Sequence, residues 1–321
     1  MFPYIVADIG GTNARFALVT GKEGGQFVIE HVNILSGAEF ATFELIMQAY
    51  LDSLEGIKPK AACVAIAGPI DGDTVKMTNL DWVFSKKSVK EQFGFTAFDA
   101  INDFAAVAIA TSRLGSSDLL TVKQGNADEH ANKAILGPGT GLGVAGLMYY
   151  KGQWVPVPSE GGHVNLAPAT AFEADILKAG MARFAHVSAE VFISGPGLVN
   201  LYQCVADVHG ISPKALEPKD ITSAALDGSD KACLDTLNRF CSFLGAFTGN
   251  LVLTYGAKGG AYLAGGILPR FTDFLMTSEF SERFSDKGVM SHYVKDVPAS
   301  LITYDQIAFL GAAAWLEQLG A

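Results

Sequence analysis

The sequence predicts an α/β protein of two domains, and three observations carry that prediction. Buried-looking strands alternate with helical stretches along the chain, the pattern in which helices cover sheets. A strand, glycine turn, strand device occurs twice, at DIGGTN (8–13) and at GPGTGLG (137–143). The chain has 321 residues, more than one core of around 250–300 residues organises efficiently. Two domains invite a cleft between them.

Each element follows from its own pattern. YIVADIG (4–10) and ARFALVT (14–20) are short apolar runs on either side of a glycine pair, and together they predict a hairpin. AACVAI (61–66) is a buried strand closed by Gly68-Pro69, a turn signal. FTAFDAI (95–101) is a further strand, and the alanine-rich run Phe104 to Leu114 predicts a helix, with Asn102 and Asp103 at the junction. AIL (134–136) and VAGLMYY (144–150) repeat the opening hairpin around the second glycine turn. Leu234, Leu237, Phe240, Cys241, Leu244, Phe247 and Leu251 recur at mostly three- and four-residue spacings, so residues 230–254 predict a long amphipathic helix. AYLAGGI (261–267) is a strand breaking into glycines, Pro269 opens a helix, and the stretch from Leu301 onward is strand then helix.

Composition excludes several classes. With 49% hydrophobic and 17% charged residues, a large packed core is expected and disorder is not. Lys and Arg number 23 against 33 Asp and Glu, a net charge of −10, and no basic cluster exceeds Lys86-Lys87, which argues against a nucleic-acid partner. No apolar run approaches the roughly 20 residues of a membrane helix, and the opening run carries Asp8 instead of a basic, then apolar, leader. A soluble protein without a targeting peptide is the expectation. Cys63, Cys204, Cys233 and Cys241 lack C-x-x-C spacing, which points to reduced thiols and a cytoplasmic setting.

The glycine turns are candidate phosphate cradles. A phosphate needs converging backbone N–H groups and no intruding side chain. In DIGGTN, Thr12 and Asn13 add side-chain donors, and Asp8 can hold magnesium through water; the alternative is a plain hairpin turn. Neither turn is a dinucleotide fingerprint or a P-loop, because a strand follows where those motifs open a helix. Two turns of one kind suit a triphosphate gripped at both ends. Gly265 and Gly266 offer a third close approach, for a nucleoside against backbone, or an ordinary strand-to-helix connection.

Asp103 between strand and helix is either an N-cap or a general base at the carboxyl end of a strand, with Asn102 orienting a substrate hydroxyl. In SEGGH (159–163), Glu160 and His163 fit a metal site, a polyol site or a surface turn. Glu190 carries no signal by itself, and Ser194 with Pro196 marks a helix start.

Taken together, DIGGTNARFAL, AIAGPI, MTNLDWVFS, INDFAAVA, GPGTGLG, EGGHV, HVSAE, SGPGLVNLY, LAGGILPRF and LGAAAWL resemble the bacterial ATP-dependent glucokinases of the enterobacterial group, in order and over the whole chain. The resemblance implies a two-domain actin-like ATPase fold of the hexokinase type, with an interdomain cleft. It places a small α/β domain at 1–113 plus 302–321 and a large one at 114–301. It further implies that Asp8, Gly10, Gly11, Thr12 and Asn13 form the first phosphate segment, Gly139, Thr140 and Gly141 the second, and Gly265 and Gly266 the adenosine segment. Asn102, Glu160, His163 and Glu190 match sugar-binding positions, and Asp103 matches the catalytic base; Glu190 enters only in this way. ATP, magnesium and glucose are the implied ligands, glucose 6-phosphate the product, and a homodimer the implied assembly. Ser159 stands where the family often has glycine, which leaves the local backbone shape open. The related repressor and open-reading-frame kinase family usually adds a C-x-C-G-x-x-G-C zinc motif; its absence argues against structural zinc. A sugar-responsive regulator would need a helix-turn-helix segment, and an actin-like filament ATPase would share the turns without SEGGH and INDF.

Overall fold

A computed structural model of the chain describes residues 2–320 and separates into two compact units, one holding residues up to 118, 152–158 and from 304 onward, the other 119–151 and 159–303. In the first, β1 (Tyr4–Ile9) and β2 (Asn13–Glu23) form an antiparallel hairpin with Asp8 opposite Arg15. β3 (Gln26–Ser36) extends it, and α1 (Phe43–Asp52) follows, capped by Thr42, whose hydroxyl accepts from Leu45 N. β4 (Ala61–Ile66) lies parallel to β1, the short ribbon β5 (Thr74–Lys76) and β6 (Val83–Ser85) leads into α2 (Lys86–Phe93), and β7 (Ala97–Asn102) lies parallel to β4. β7 passes without a loop into α3 (Asp103–Ala110).

The sheet order is β3-β2-β1-β4-β7. Side chains alternate across it: Ile5, Ala7 and Ile9 pack with Phe43, Ile46, Met47 and Tyr50 of α1 on one face. Tyr4 and Val6 face the other way, onto Ala106 and a helix from the end of the chain.

From Leu119 onward the chain forms β8 (Leu119–Lys123), β9 (Lys133–Pro138), β10 (Leu142–Tyr150) and β11 (Gln153–Ser159), then α4 (Ala171–Met181), α5 (Ala189–Phe192), α6 (Gly195–Val208), α7 (Pro218–Leu226) and α8 (Lys231–Tyr255). After these come β12 (Ala261–Leu263), α9 (Thr272–Thr277), α10 (Phe280–Ser285), α11 (Ser291–Val294) and β13 (Ala299–Ile302). The second sheet runs β11-β10-β9-β12-β13-β8. Its first five strands repeat the order of the first sheet, each built on an antiparallel hairpin followed by two parallel strands. The repeated glycine turn is therefore the visible trace of a repeated topology.

α8 is the long helix expected at 230–254, and it is buried on more than the one face its spacing suggests, with Cys233, Thr236, Phe240, Phe243, Phe247 and Thr248 all inside. All four cysteines are buried and free. Beside α8, the fully buried Glu173 of α4 receives Arg239 at 3.3 Å and Arg283 at 3.0 Å, and the backbone N–H of Ala169 at 2.7 Å. An ion of this kind persists in a core only with such a set of donors.

The last helix, α12 (Ile307–Gln318), packs on α3, and Phe309, Ala313 and Leu316 complete the second face of the first sheet. Contact is at backbone distance: a side chain on Gly311 would overlap the carbonyl oxygen of Ala106. Three boundaries differ from the sequence expectation. The helix begun at 103 stops at Ala110 short of Leu114, because Thr111 and Ser112 turn their hydroxyls back onto the carbonyls of Ala108 and Ile109. The strand of AYLAGGI ends at Leu263, where Gly265 takes a φ of +91°. Pro269 opens a single 3-10 turn before α9.

Candidate functional site

In the first unit the DIGGTN turn closes by a 3.0 Å hydrogen bond from Gly10 N to Asn13 O, and Gly37 N donates to Thr12 O at 2.9 Å. Gly11, Thr12 and Asn13 are exposed. A side chain at Gly11 would press on that of Asn79 at 3.0 Å, so Asn79 would have to give way by a few tenths of an ångström. Asp8 is the one half-buried residue of β1, between the buried Ala7 and Ile9. Burial raises its carboxyl above the usual aspartate range, and the Arg15 guanidinium 3.9 Å away works against that rise.

At the β7–α3 junction the cap is Asn102: its Oδ1 accepts from Ala105 N at 3.0 Å. Asp103 is the first helical residue, so the capping role weighed for it belongs to its neighbour. Its Oδ1 accepts from Phe104 N at 2.9 Å and from Asn102 Nδ2 at 3.0 Å, and that same amide donates to Gly68 O at 3.1 Å. Asn102 thus ties the Gly68-Pro69 turn, the helix start and the Asp103 carboxylate into one unit.

In the second unit the GPGTG turn is held from two sides. Gly139 N donates to Gly141 O and Gly195 N to Gly139 O, both at 2.8 Å, and Leu142 N donates to Glu190 Oε2 at 2.8 Å. The EGGH stretch, a 3-10 turn over Gly161–His163, is joined to the segment before α5 by the Asn165–Ser188 bridge and by Ala189 N donating to Val164 O at 2.9 Å. That pairing brings His163 Nδ1 to 3.9 Å from Glu190 Oε1. Glu160 is exposed, and its carbonyl accepts from His163 N at 3.0 Å. The backbone at Ser159 is held by its own hydroxyl, which donates to Val144 O at 3.0 Å and accepts from Tyr255 Oη at 3.0 Å and Gly161 N at 3.3 Å.

Gly139 and Thr140 line a cavity of about 560 Å³ in the second unit, together with Asn200, Glu217, Lys219 and Arg270. Gly265 and Gly266 are exposed beside it in sequence, and a side chain on Gly265 would overlap the Pro138 carbonyl, so its conformation serves the approach to the second turn. Glu217 and Lys219 escaped the sequence reading because no glycine or local motif marks them, and Asn200 and Arg270, though inside SGPGLVNLY and LAGGILPRF, drew no role from those stretches. The Pro218 start of α7 after Glu217 is the signal that was available.

Among the described residues no group of three or more His, Cys, Asp or Glu side chains is placed to hold a metal. Magnesium asks for less, one or two carboxylates with the rest of its shell from water and phosphate, and Asp8 fits that requirement. No helix among the described residues is long and apolar enough to cross a membrane.

A profile of the family described as Glucokinase matches residues 5–319. The chain is 62% identical over 319 residues to the glucokinase of Saccharophagus degradans, covering 99% of each, and 45% identical to that of Cronobacter sakazakii over 98% of this chain and 97% of the other. A crystal structure of glucokinase from an Antarctic psychrotroph superposes with a TM-score of 0.93 at 44% identity, covering 99% of this chain and 100% of that one.

Proposed function

The chain belongs to the glucokinase family, enzymes of the actin-like ATPase fold that phosphorylate glucose with ATP, and from that premise we propose which of its residues do the work. Asp103 accepts the proton of the 6-hydroxyl while that oxygen attacks the γ-phosphorus in line; the new O–P bond forms as the bond to the β-phosphate oxygen breaks, and ADP leaves with that electron pair. The observation that carries this role is the fixed orientation of the Asp103 carboxylate, held by Asn102 Nδ2 and Phe104 N at the carboxyl end of β7.

The Gly10–Asn13 turn and the Gly139–Gly141 turn receive phosphates through amides other than those of Gly10 and Gly139, which close the turns themselves, and the cavity beside Thr140 receives the nucleoside. Asp8 would hold magnesium, and the ion when bound would neutralise phosphate charge. Asn102, Glu160, His163 and Glu190 take the sugar hydroxyls, which suit carboxylate, amide and imidazole partners. Little covalent work falls to the protein; positioning and charge stabilisation carry the rate.

The test is ADP release over a panel of hexoses with and without magnesium. Glucose with magnesium is expected to give the fastest release, and a chain that responds to no hexose would overturn the sugar assignment. Concentration-dependent polymerisation with ATP and no sugar response would favour a filament ATPase instead.

A further inference from the structure

Glu190 divides its carboxylate between two loops. Oε2 accepts the Leu142 N–H at 2.8 Å, directly after the GPGTG turn, while Oε1 lies 3.9 Å from His163 Nδ1 in the EGGH stretch. A side chain on Gly141 would come within 2.5 Å of that same Oε2, so the turn is shaped around the carboxylate. The main chain beyond Glu190 grips the turn again. Ser194 Oγ donates to Glu190 O and accepts from Gly197 N, both at 2.9 Å, and the next residue, Gly195, donates to Gly139 O at 2.8 Å. Residues 190–195 therefore clamp both ends of the 139–142 turn while one oxygen of Glu190 looks toward the sugar loop.

We infer that Glu190 is a positioning residue for the phosphate turn in addition to any contact with sugar: its charge-assisted bond to Leu142 N holds the turn open for phosphate before sugar arrives. The inference rests on the reading of 139–141 as a nucleotide turn. It separates two roles that a single activity assay merges, because a residue that only touches sugar has no effect on nucleotide affinity in sugar-free protein. Hydrogen bonds to charged groups are the stronger ones, so losing this one should move affinity measurably.

The probe is the non-hydrolysable ATP analogue AMPPNP with magnesium, titrated calorimetrically into full-length protein without sugar. Glu190→Ala is expected to weaken binding by about tenfold. Glu190→Gln, whose amide oxygen still accepts from Leu142 N, is expected to stay within about threefold of the parent while losing glucose affinity. His163→Ala is expected to lose glucose affinity alone. Glu190→Asp, which keeps the charge but is one methylene too short to reach Leu142 N, is expected to weaken sugar-free AMPPNP binding by a few-fold, and it decides the matter should Glu190→Ala fail to fold. Parent-like AMPPNP affinity in Glu190→Ala or, failing that variant, in Glu190→Asp, or an equal loss in His163→Ala, would overturn the inference. Failure of the underlying reading is distinct: the unmodified protein would then bind no AMPPNP at all.

Discussion

The indole N–H of Trp315 donates to Asp99 Oδ2 at 2.8 Å, joining α12 to β7 across 216 positions of sequence. Lys86 of α2 occupies the other oxygen at 3.0 Å, so one carboxylate on the strand that delivers Asn102 and Asp103 ties helices from both faces of the sheet. Asp99→Ala strands both donors and should lower stability by about 2–3 kcal/mol; Trp315→Phe, which removes one donor, should cost about 1 kcal/mol. Urea unfolding followed by circular dichroism measures both, and equal costs for the two would contradict the shared-carboxylate account.

Asp103→Ala should reduce turnover by about 10²- to 10⁴-fold with the fold intact, the range a general base contributes. Asn102→Ala is expected to differ in kind. It removes the α3 cap, worth about 1 kcal/mol, and the amide that orients Asp103, so stability and turnover should fall together. Steady-state kinetics beside thermal melts separate the two variants, and near-parent turnover in Asp103→Ala would remove it from the mechanism.

Glu173 and Glu279 both bind Arg239, at 3.3 and 2.8 Å, but Glu173 is fully buried while the Glu279 side chain is 47% exposed. Removing the buried carboxylate leaves Arg283 without its partner while Arg239 keeps Glu279, so Glu173→Gln should cost about 3 kcal/mol. Glu279→Gln, at a solvated edge, should cost about 1 kcal/mol or less. Denaturant midpoints test the contrast, and a larger effect at Glu279 would refute it.

Stability at alkaline pH should reflect two opposed sets of buried groups. Burial pushes the Lys133 and Lys287 ammonium groups down to about 8. It pushes the Cys204 and Cys233 thiols up to about 11, Cys241 to about 12 and Cys63 well above the ordinary value. Between about pH 8 and 10 the unfolded lysines keep protons that the folded ones have released, which favours folding as pH rises. Above about pH 9 the unfolded thiols have lost protons that the folded ones retain, which disfavours it. Burial also lowers Lys123 and raises the phenols of Tyr4, Tyr50, Tyr262 and Tyr304, so four thiols and four phenols that hold their protons oppose three lysines, and urea midpoints should fall from pH 9 to 11. Lys287→Met should steepen that fall and Cys204→Ala should flatten it; reversed slopes would contradict these assignments.

Sequence disclosed the parts whose cause is local. The two glycine turns, the alternation of Tyr4–Ile9 and the three- and four-residue spacing of α8 are each set by residues within one element, and each was legible there. Partnerships over long separations were not. The bond from Leu142 N to Glu190 spans 48 positions, and the Glu173 cluster draws on α4, α8 and α10. Nothing in a hydrophobic period states which distant donor a carboxylate will meet. The junction at 102–103 lies between these cases: an Asn-Asp pair before an alanine-rich run announces a helix start, but either residue can cap, and only the three-dimensional placement of Gly68 O and Ala105 N assigns the task to Asn102.

Close seating of Gly311 on Ala106 also bears on how the chain is made. The first unit has one sheet face closed by α12, yet residues 119–303 must be synthesised between Asp118 and the start of its last segment. At roughly 5–20 residues per second that leaves residues 2–118 on the ribosome for roughly 10–40 s with Tyr4, Val6, Ala17 and Cys63 uncovered. The second unit, whose segments are complete by Thr303, is free to fold in that interval. The first unit is thus completed only after the second, and the apolar face left bare in the interval is the surface that chaperones would meet.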